Sequence, residues 1–245
     1  MHQFVNINQL SPLQQEQNKK AVHDAFPEII HASPTIEKYW DRLEKYFPEY
    51  QQYLISKKGD LIGFMNSVPF YIDTTLVDLS EEGWDWMLAE GVEGYERGQP
   101  ANYLGGLQVI VRKEYQNRGF SKVILSQIKS VVRYSALSKL VIPIRPTKKY
   151  LFPNMSMSDY MKLKDGNRIY DPWIRTHVKN GAQIIKPCEV SMKVEGDLNF
   201  WEKILKMSIE TSGCYTCHEA LNIINIDYEN NYGVYLEPNI WIYYD

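Results

Sequence analysis

The sequence has few cysteines, no long apolar run and no large excess of charge of either sign. Its three cysteines, with no pattern of a secretory leader, predict free thiols in a reducing cytoplasm. The longest apolar stretches, such as Leu61–Met65 and Leu107–Val111, are far shorter than the ~20 residues needed to span a bilayer. A cytoplasmic protein that does not cross a membrane is therefore expected.

The balance of charges also excludes some partners. There are 27 lysines and arginines against 30 aspartates and glutamates, giving a net charge of -3. A general attraction to nucleic acid or anionic lipid is therefore missing, and neither is an expected partner. The chain of 245 residues has no linker, internal repeat or low-complexity tract. It is long enough to bury a core without disulfides, which predicts a single domain over residues 1–245.

Helix start signals are frequent near the N-terminus. The pairs Ser11-Pro12 and Ser33-Pro34 each place a capping residue before proline at the first helical position. Residues 1–40 are therefore expected to form a helical extension. The extended runs Tyr53–Ser56 and Leu61–Pro69 follow, joined by turn-forming residues, and predict an antiparallel hairpin.

The middle of the chain has the pattern of a βαβ-like unit. Leu107–Val111 predicts a buried strand, Ser121–Leu137 an amphipathic helix, and Leu140–Ile144 a second buried strand. Further on, Asp171-Pro172 predicts the start of a short helix that Gly181 ends. This order of elements indicates an α/β (α+β) fold.

A polar, basic loop joins the first strand of this unit to its helix. Gly119 allows the backbone to approach a ligand closely, and N–H groups at a helix N-terminus can face an anion. Arg118 and Lys122 add local positive charge. A solvated basic turn is the alternative interpretation, because short loops with one glycine are common.

The spacing of this loop resembles a known family. Gln116-x-x-Gly119-x-Ser121 after a buried strand is similar to the pyrophosphate loop of the GNAT acyltransferase superfamily, usually written Q/R-x-x-G-x-G/A. Ser121 departs from that pattern. The resemblance implies a GNAT fold, with a central mixed sheet flanked by helices and with N- and C-terminal elaborations. It implies acyl-CoA, as malonyl-CoA or acetyl-CoA, as substrate. The residues implied to contact it are Val109, Ile110, Val111, Gln116, Asn117, Arg118, Gly119, Phe120, Ser121 and Lys122.

Four segments downstream resemble one branch of that superfamily more specifically. They occur in order at 143–150, 171–177, 181–182 and 237–241. Similar segments are found in GNAT-like starter domains of polyketide assembly lines and in their free-standing bacterial relatives. Those domains are associated with decarboxylation of malonyl thioesters. The resemblance implies Thr147 and His177 as the catalytic pair.

The chemistry of that reaction suits these side chains. Decarboxylation leaves an enolate whose oxygen needs hydrogen-bond donors, and carbon 2 must then be protonated. Thr147 and His177 can supply donors, and the sequence leaves open which of them protonates carbon. Arg145 and Arg175 can contact a carboxylate or phosphate, or form structural ion pairs. Trp40 can wall an acyl pocket or belong to the core.

Several alternatives stay open from the sequence. The acyl group, malonyl or methylmalonyl, can be carried by CoA or by an acyl carrier protein. An acetyl-CoA-dependent N- or O-acetyltransferase acting on a small molecule, with His177 or a carboxylate as base, is a second function. A non-catalytic acyl-CoA sensor or carrier-protein adaptor is a third. Cys214-x-x-Cys217-His218 matches a haem-attachment motif but has no obvious axial partner, and zinc would need further ligands. No metal is therefore expected.

Overall fold

The computed structural model describes residues 2–245. Short 3-10 turns connect several of the elements. In chain order the helices and strands are β1 (Gln3–Asn6), α1 (Pro12–Ala25), α2 (Glu28–His31), α3 (Pro34–Tyr46), β2 (Gln51–Ile55), β3 (Leu61–Phe70), α4 (Gly83–Glu96), β4 (Tyr103–Val111), α5 (Phe120–Arg133), β5 (Leu140–Ile144), α6 (Met157–Tyr160), β6 (Lys164–Asp165), β7 (Arg168–Ile169), α7 (Pro172–Lys179), β8 (Gln183–Gly196), α8 (Leu198–Leu205), β9 (Gly213–Tyr215), β10 (Ile224–Asp227) and β11 (Tyr232–Tyr244).

One mixed sheet organises the described residues. Its strands lie in the order β1-β2-β3-β4-β5-β11-β10-β9, and β8 also pairs with β11. β4 and β5 are parallel, whereas the other neighbours are antiparallel. Because α5 is the crossover between β4 and β5, the predicted βαβ-like unit is present. The predicted fold class, a mixed sheet flanked by helices, is confirmed.

Residues 1–40 are not helical throughout, which corrects one expectation. Ser11 and Ser33 cap α1 and α3 as predicted, accepting hydrogen bonds from Gln14 N and Ile36 N. However, β1 precedes these helices and pairs with β2. The start of the chain is therefore an edge of the central sheet, formed by a strand of only four residues.

Two hydrophobic clusters cover the opposite faces of the sheet. Trp241 of β11 packs with residues of α3, α4 and α8. Its neighbours Ile240 and Ile242 pack with residues of α5 and α7. Because successive side chains of a strand point to opposite faces, this alternation places helices on both sides of the sheet.

β4 and β5 separate soon after they begin to run side by side. Their paired residues are Leu104 with Leu140 and Gly105 with Val141. A bulge in β4 follows, where Leu107 is an extra residue opposite β3. Trp84 of α4 donates a hydrogen bond from its indole nitrogen to the carbonyl of Leu107 over 2.8 Å. From this bulge onward the second edge of β4 faces a cleft instead of a strand.

Candidate functional site

The cleft between β4 and β5 has a volume of about 930 Å³. Its central walls are the separated strand segments 106–111 and 142–145. Residues of α1, α2 and α3 close one side, and residues of α7 lie on another. Since the parallel strands part here, backbone groups of β4 are exposed to any molecule that enters the cleft.

The loop predicted to hold a pyrophosphate lies at this cleft. Gln116, Asn117, Gly119, Phe120 and Ser121 line it. Gly119, at φ 79°, precedes the first turn of α5, and no side chain caps that turn. The first N–H groups of α5 are therefore left for a ligand.

The residues predicted to contact acyl-CoA are placed differently relative to the cleft. Val109, Ile110 and Val111 line it. The cations Arg118 and Lys122 are exposed and are not part of the cleft wall. The guanidinium of Arg118 instead lies 5.7 Å from the centre of the Tyr115 ring.

Thr147 and His177 both line the cleft. Thr147 follows β5 and is exposed, whereas His177 lies on α7 and is 1% exposed. The carboxylate of Asp171, 1% exposed, links the two elements. It caps α7 by accepting from Trp173 N and Ile174 N, and it accepts from Lys148 N over 2.8 Å.

The hydroxyl of Thr147 is not committed to a protein partner. Its Oγ1 lies 3.5 Å from Oδ2 of Asp171, the outer limit of a hydrogen bond. That carboxylate oxygen also accepts from the hydroxyl of Tyr160 over 2.8 Å. Thr147 is therefore placed by its backbone, and its hydroxyl hydrogen is free to turn toward a bound molecule.

The imidazole of His177 is buried and uncharged. Its Nδ1 lies 2.8 Å from the hydroxyl of Tyr244, and Trp173 packs edge-on against the ring with centroids 4.3 Å apart. Among the residues described, Nε2 has no hydrogen-bond partner. Burial lowers the pKa of His177 from 6.5 to about 3, because a charged ring would lose its hydration.

The three residues expected to contact substrate are placed differently. Trp40 lines the cleft and stacks on Trp84 at 6.3 Å between centroids. Arg145 lines it too, but its guanidinium is bound by the buried carboxylate of Glu237. Arg175 lies outside the cleft wall and donates to the carbonyls of residues 169 and 170. Arg145 thus forms the structural ion pair that the sequence left as an alternative, whereas Arg175 is held by backbone carbonyls.

Comparison with known proteins gives one sequence relative and several similar structures. No family model matches the chain. The arginine N-acetyltransferase avaD of Aspergillus versicolor is 27% identical, over 89% of this chain and 84% of that protein.

The loading GNATL domain of CurA from Lyngbya majuscula superposes with a TM-score of 0.59 and 15% identity. The GphF GNAT-like decarboxylase, solved in complex with isobutyryl-CoA, has a TM-score of 0.58 and 12% identity. Each alignment covers 100% of this chain and 98% of the other.

This chain has the GNAT fold. The fold that the resemblance implied is therefore confirmed. At such low identities the structural likeness establishes the fold, and the reaction must be argued from the side chains in the cleft.

Two residues that contact the candidate site were missed by sequence reasoning. Asp171 was recognised only as a helix start, although its second carboxylate oxygen ties Lys148 to α7. Tyr244 gave no signal, because an aromatic residue in an apolar strand is typical of a core. Both act through contacts between residues far apart in the chain.

The low pKa of His177 predicts how stability changes with pH. Below pH 6.5 the unfolded chain binds a proton on this ring, whereas the folded protein does not until about pH 3. The free energy of unfolding therefore falls as the pH is lowered through this range, by at most about 1.4 kcal/mol per pH unit from this residue. Urea unfolding at pH 7.5, 6 and 5 measures it. His177→Gln should lack this part of the slope, and identical slopes would contradict the burial of a neutral ring.

Within residues 2–245, no group of three or more His, Cys, Asp or Glu side chains is arranged to hold a metal ion. Cys214 and the side chain of His218 are exposed. No helix of the described part of the chain is both long and apolar enough to cross a membrane.

Proposed function

We propose that the protein is an acyl-thioester enzyme that decarboxylates a malonyl group carried by CoA or by an acyl carrier protein. The observation that supports this best is that Thr147 and His177 line the same cleft. One is a hydroxyl without a strong partner, and the other is a buried neutral imidazole with an unpartnered nitrogen. Together they offer donors to an oxyanion.

The carrier of the acyl group would bind along β4. Beyond Gly105 this strand pairs only with β3, so its other edge has backbone groups free to bind the amides of a pantetheine arm. The uncapped first turn of α5, behind Gly119, would take the pyrophosphate of CoA. This route leads the thioester from the loop toward Thr147 and His177.

The proposed reaction needs no acceptor and no base. The bond between carbon 2 and the carboxylate breaks, carbon dioxide leaves, and the electron pair passes into an enolate on the thioester. Thr147 and His177 stabilise the enolate oxygen by donating hydrogen bonds. Carbon 2 then takes up one proton, which derives ultimately from water because the enzyme returns unchanged. The product is an acetyl thioester.

An N-acetyltransferase is the second function, and one specific observation favours it. The fungal relative, similar over most of both chains, is named an arginine N-acetyltransferase. A transferase must remove a proton from its acceptor amine, for which a ring with a pKa of about 3 is a weak base. The carboxylates of Asp24 and Glu219, which also line the cleft, would serve instead.

One experiment separates these functions. The purified protein is incubated with malonyl-CoA and no acceptor, and acetyl-CoA is followed by mass spectrometry. Acetyl-CoA is expected to accumulate with release of one carbon dioxide per turnover. Intact malonyl-CoA and malonyl-carrier protein, together with acetyl transfer from acetyl-CoA to arginine, would overturn the decarboxylase in favour of the transferase.

The loop offers a separate test of CoA binding. Gly119 and Gly59 both have positive φ, and a Cβ on either would meet no atom within 4 Å. Replacing either with alanine should cost about 1 kcal/mol of stability from backbone strain alone. Only Gly119→Ala should weaken CoA binding, by roughly tenfold, because the loop must keep the strained φ at about 1 kcal/mol to point its amides at the pyrophosphate. Titration calorimetry with CoA measures this, and equal affinities in both variants would contradict the role of the loop.

A further inference from the structure

We propose that Tyr244 is a positioning residue that holds His177 in the tautomer with its proton on Nε2. This inference rests on the proposed function, in which His177 donates a hydrogen bond to substrate. Tyr244 is the last residue of β11 and is 1% exposed. Its hydroxyl lies 2.8 Å from Nδ1 of His177.

The direction of this hydrogen bond follows from the other groups near the hydroxyl. The carbonyl oxygen of His177 lies farther away, at 3.4 Å. That oxygen already accepts from the backbone N–H groups of Asn180 and Ala182, each at 3.0 Å. Its two lone pairs are therefore occupied. The hydroxyl hydrogen of Tyr244 is left to point at Nδ1.

The tautomer of His177 is then determined. A neutral imidazole has one N–H and one bare nitrogen. If Nδ1 accepts from Tyr244, the proton must be on Nε2, which has no partner among the residues described. His177 thus holds a buried N–H without a protein partner, in a ring that lines the cleft. A general base would need the opposite arrangement, with a bare Nε2.

Tyr244 is itself held firmly in place. Its backbone pairs with Leu140 of β5. The ammonium group of Lys129 lies 5.0 Å from the centre of its ring and donates to the carbonyl of Asn180 over 3.1 Å. The position of the Tyr244 hydroxyl is therefore determined by two strands and two helices, namely β5, β11, α5 and α7. Such over-determination is what orienting a catalytic side chain requires.

The test begins with the tautomer itself, measured by ¹⁵N NMR of the histidine rings in the wild-type protein. The chain has five histidines, and the signals of His177 are assigned by their loss in His177→Gln. At pH 7 we expect a protonated Nε2 and a bare Nδ1. A proton on Nδ1 would overturn the proposal without any variant being made.

The variant Tyr244→Phe removes the hydroxyl and keeps the ring. We expect its His177 signals to move toward a mixture of tautomers. The kcat for malonyl-CoA decarboxylation should fall about tenfold, the equivalent of one hydrogen bond, while KM changes less than twofold. Tyr243→Phe, at the half-buried neighbouring position, is the control and should leave both unchanged. An unaltered tautomer in Tyr244→Phe would refute the positioning role.

The two readouts keep this proposal distinct from the proposed function. The NMR measurement requires no substrate, so it reports on Tyr244 whatever the reaction is. If the tautomer is as expected and shifts in Tyr244→Phe, but malonyl thioesters stay intact, the positioning role stands and the decarboxylase fails.

Discussion

Replacing His177 or Thr147 with alanine is expected to lower the rate of acetyl-CoA formation from malonyl-CoA by about a hundred- to a thousandfold. The loss of one donor to an oxyanion typically costs ~2.7 to 4 kcal/mol in the transition state. Both side chains line the cleft, and neither has a strong competing partner at its free polar atom. Each variant should therefore lower kcat much more than it raises KM.

Matched substitutions control for a general effect of losing a threonine or histidine. Thr75→Ala and His218→Ala change exposed side chains and should keep full activity. The double variant should lose less than the product of the two single effects, because both residues act on the same oxygen. If the single variants keep more than about a third of the wild-type rate, Thr147 and His177 take no part in the decarboxylation.

Local patterns were enough to find the two strands and the loop at the middle of the cleft. The apolar run 107–111 and the strand Leu140–Ile144 lie where predicted, although β4 begins earlier, at Tyr103. The helix expected over 121–137 ends at Arg133. These errors in the element boundaries do not affect the motif of Gln116, Gly119 and Ser121, because its residues all lie within one short loop.

The remaining features depend on contacts that no local pattern records. β1 has four residues, and its pairing partner Ile55 lies about fifty positions away. Arg145 looks like a free cation in the sequence, yet Glu237, ninety-two positions later, neutralises it. Similarly, the separation of β4 from β5 is a property of the assembled sheet. The sequence thus indicates which side chains could bind or react with a ligand. The fold determines which of them are not already bound to other protein groups.

The position of Thr147 depends on Glu237 as well as on Asp171. Glu237 accepts from Arg145 and from the hydroxyl of Tyr235. Arg145 also donates to the carbonyl of Glu219 over 2.7 Å. This network fixes the end of β5, directly before Thr147, to the C-terminal half of the chain. Thr147 therefore has a supported backbone on one side and Asp171 on the other.

Asp171→Ala is expected to lower the free energy of unfolding by about 3 to 5 kcal/mol. Removing a helix N-cap costs ~1 kcal/mol, and each buried donor left unsatisfied costs about 1 to 3 kcal/mol. The side chain is 1% exposed, so water does not readily replace it. The cap term already includes Trp173 N and Ile174 N. Lys148 N and the hydroxyl of Tyr160 also lose their partner, at about 1 to 2 kcal/mol each.

Urea unfolding followed by circular dichroism measures this loss, and a thermal midpoint lowered by roughly 10 °C should accompany it. Asp165→Ala is the control, because the carboxylate of Asp165 is exposed and pairs with Arg168 on the surface; it should cost less than about 1 kcal/mol. Turnover by Asp171→Ala should also fall under conditions where the protein remains folded, since Thr147 and α7 lose their link. A stability within about 1 kcal/mol of the wild type would show that Asp171 does not hold the two halves of the site together.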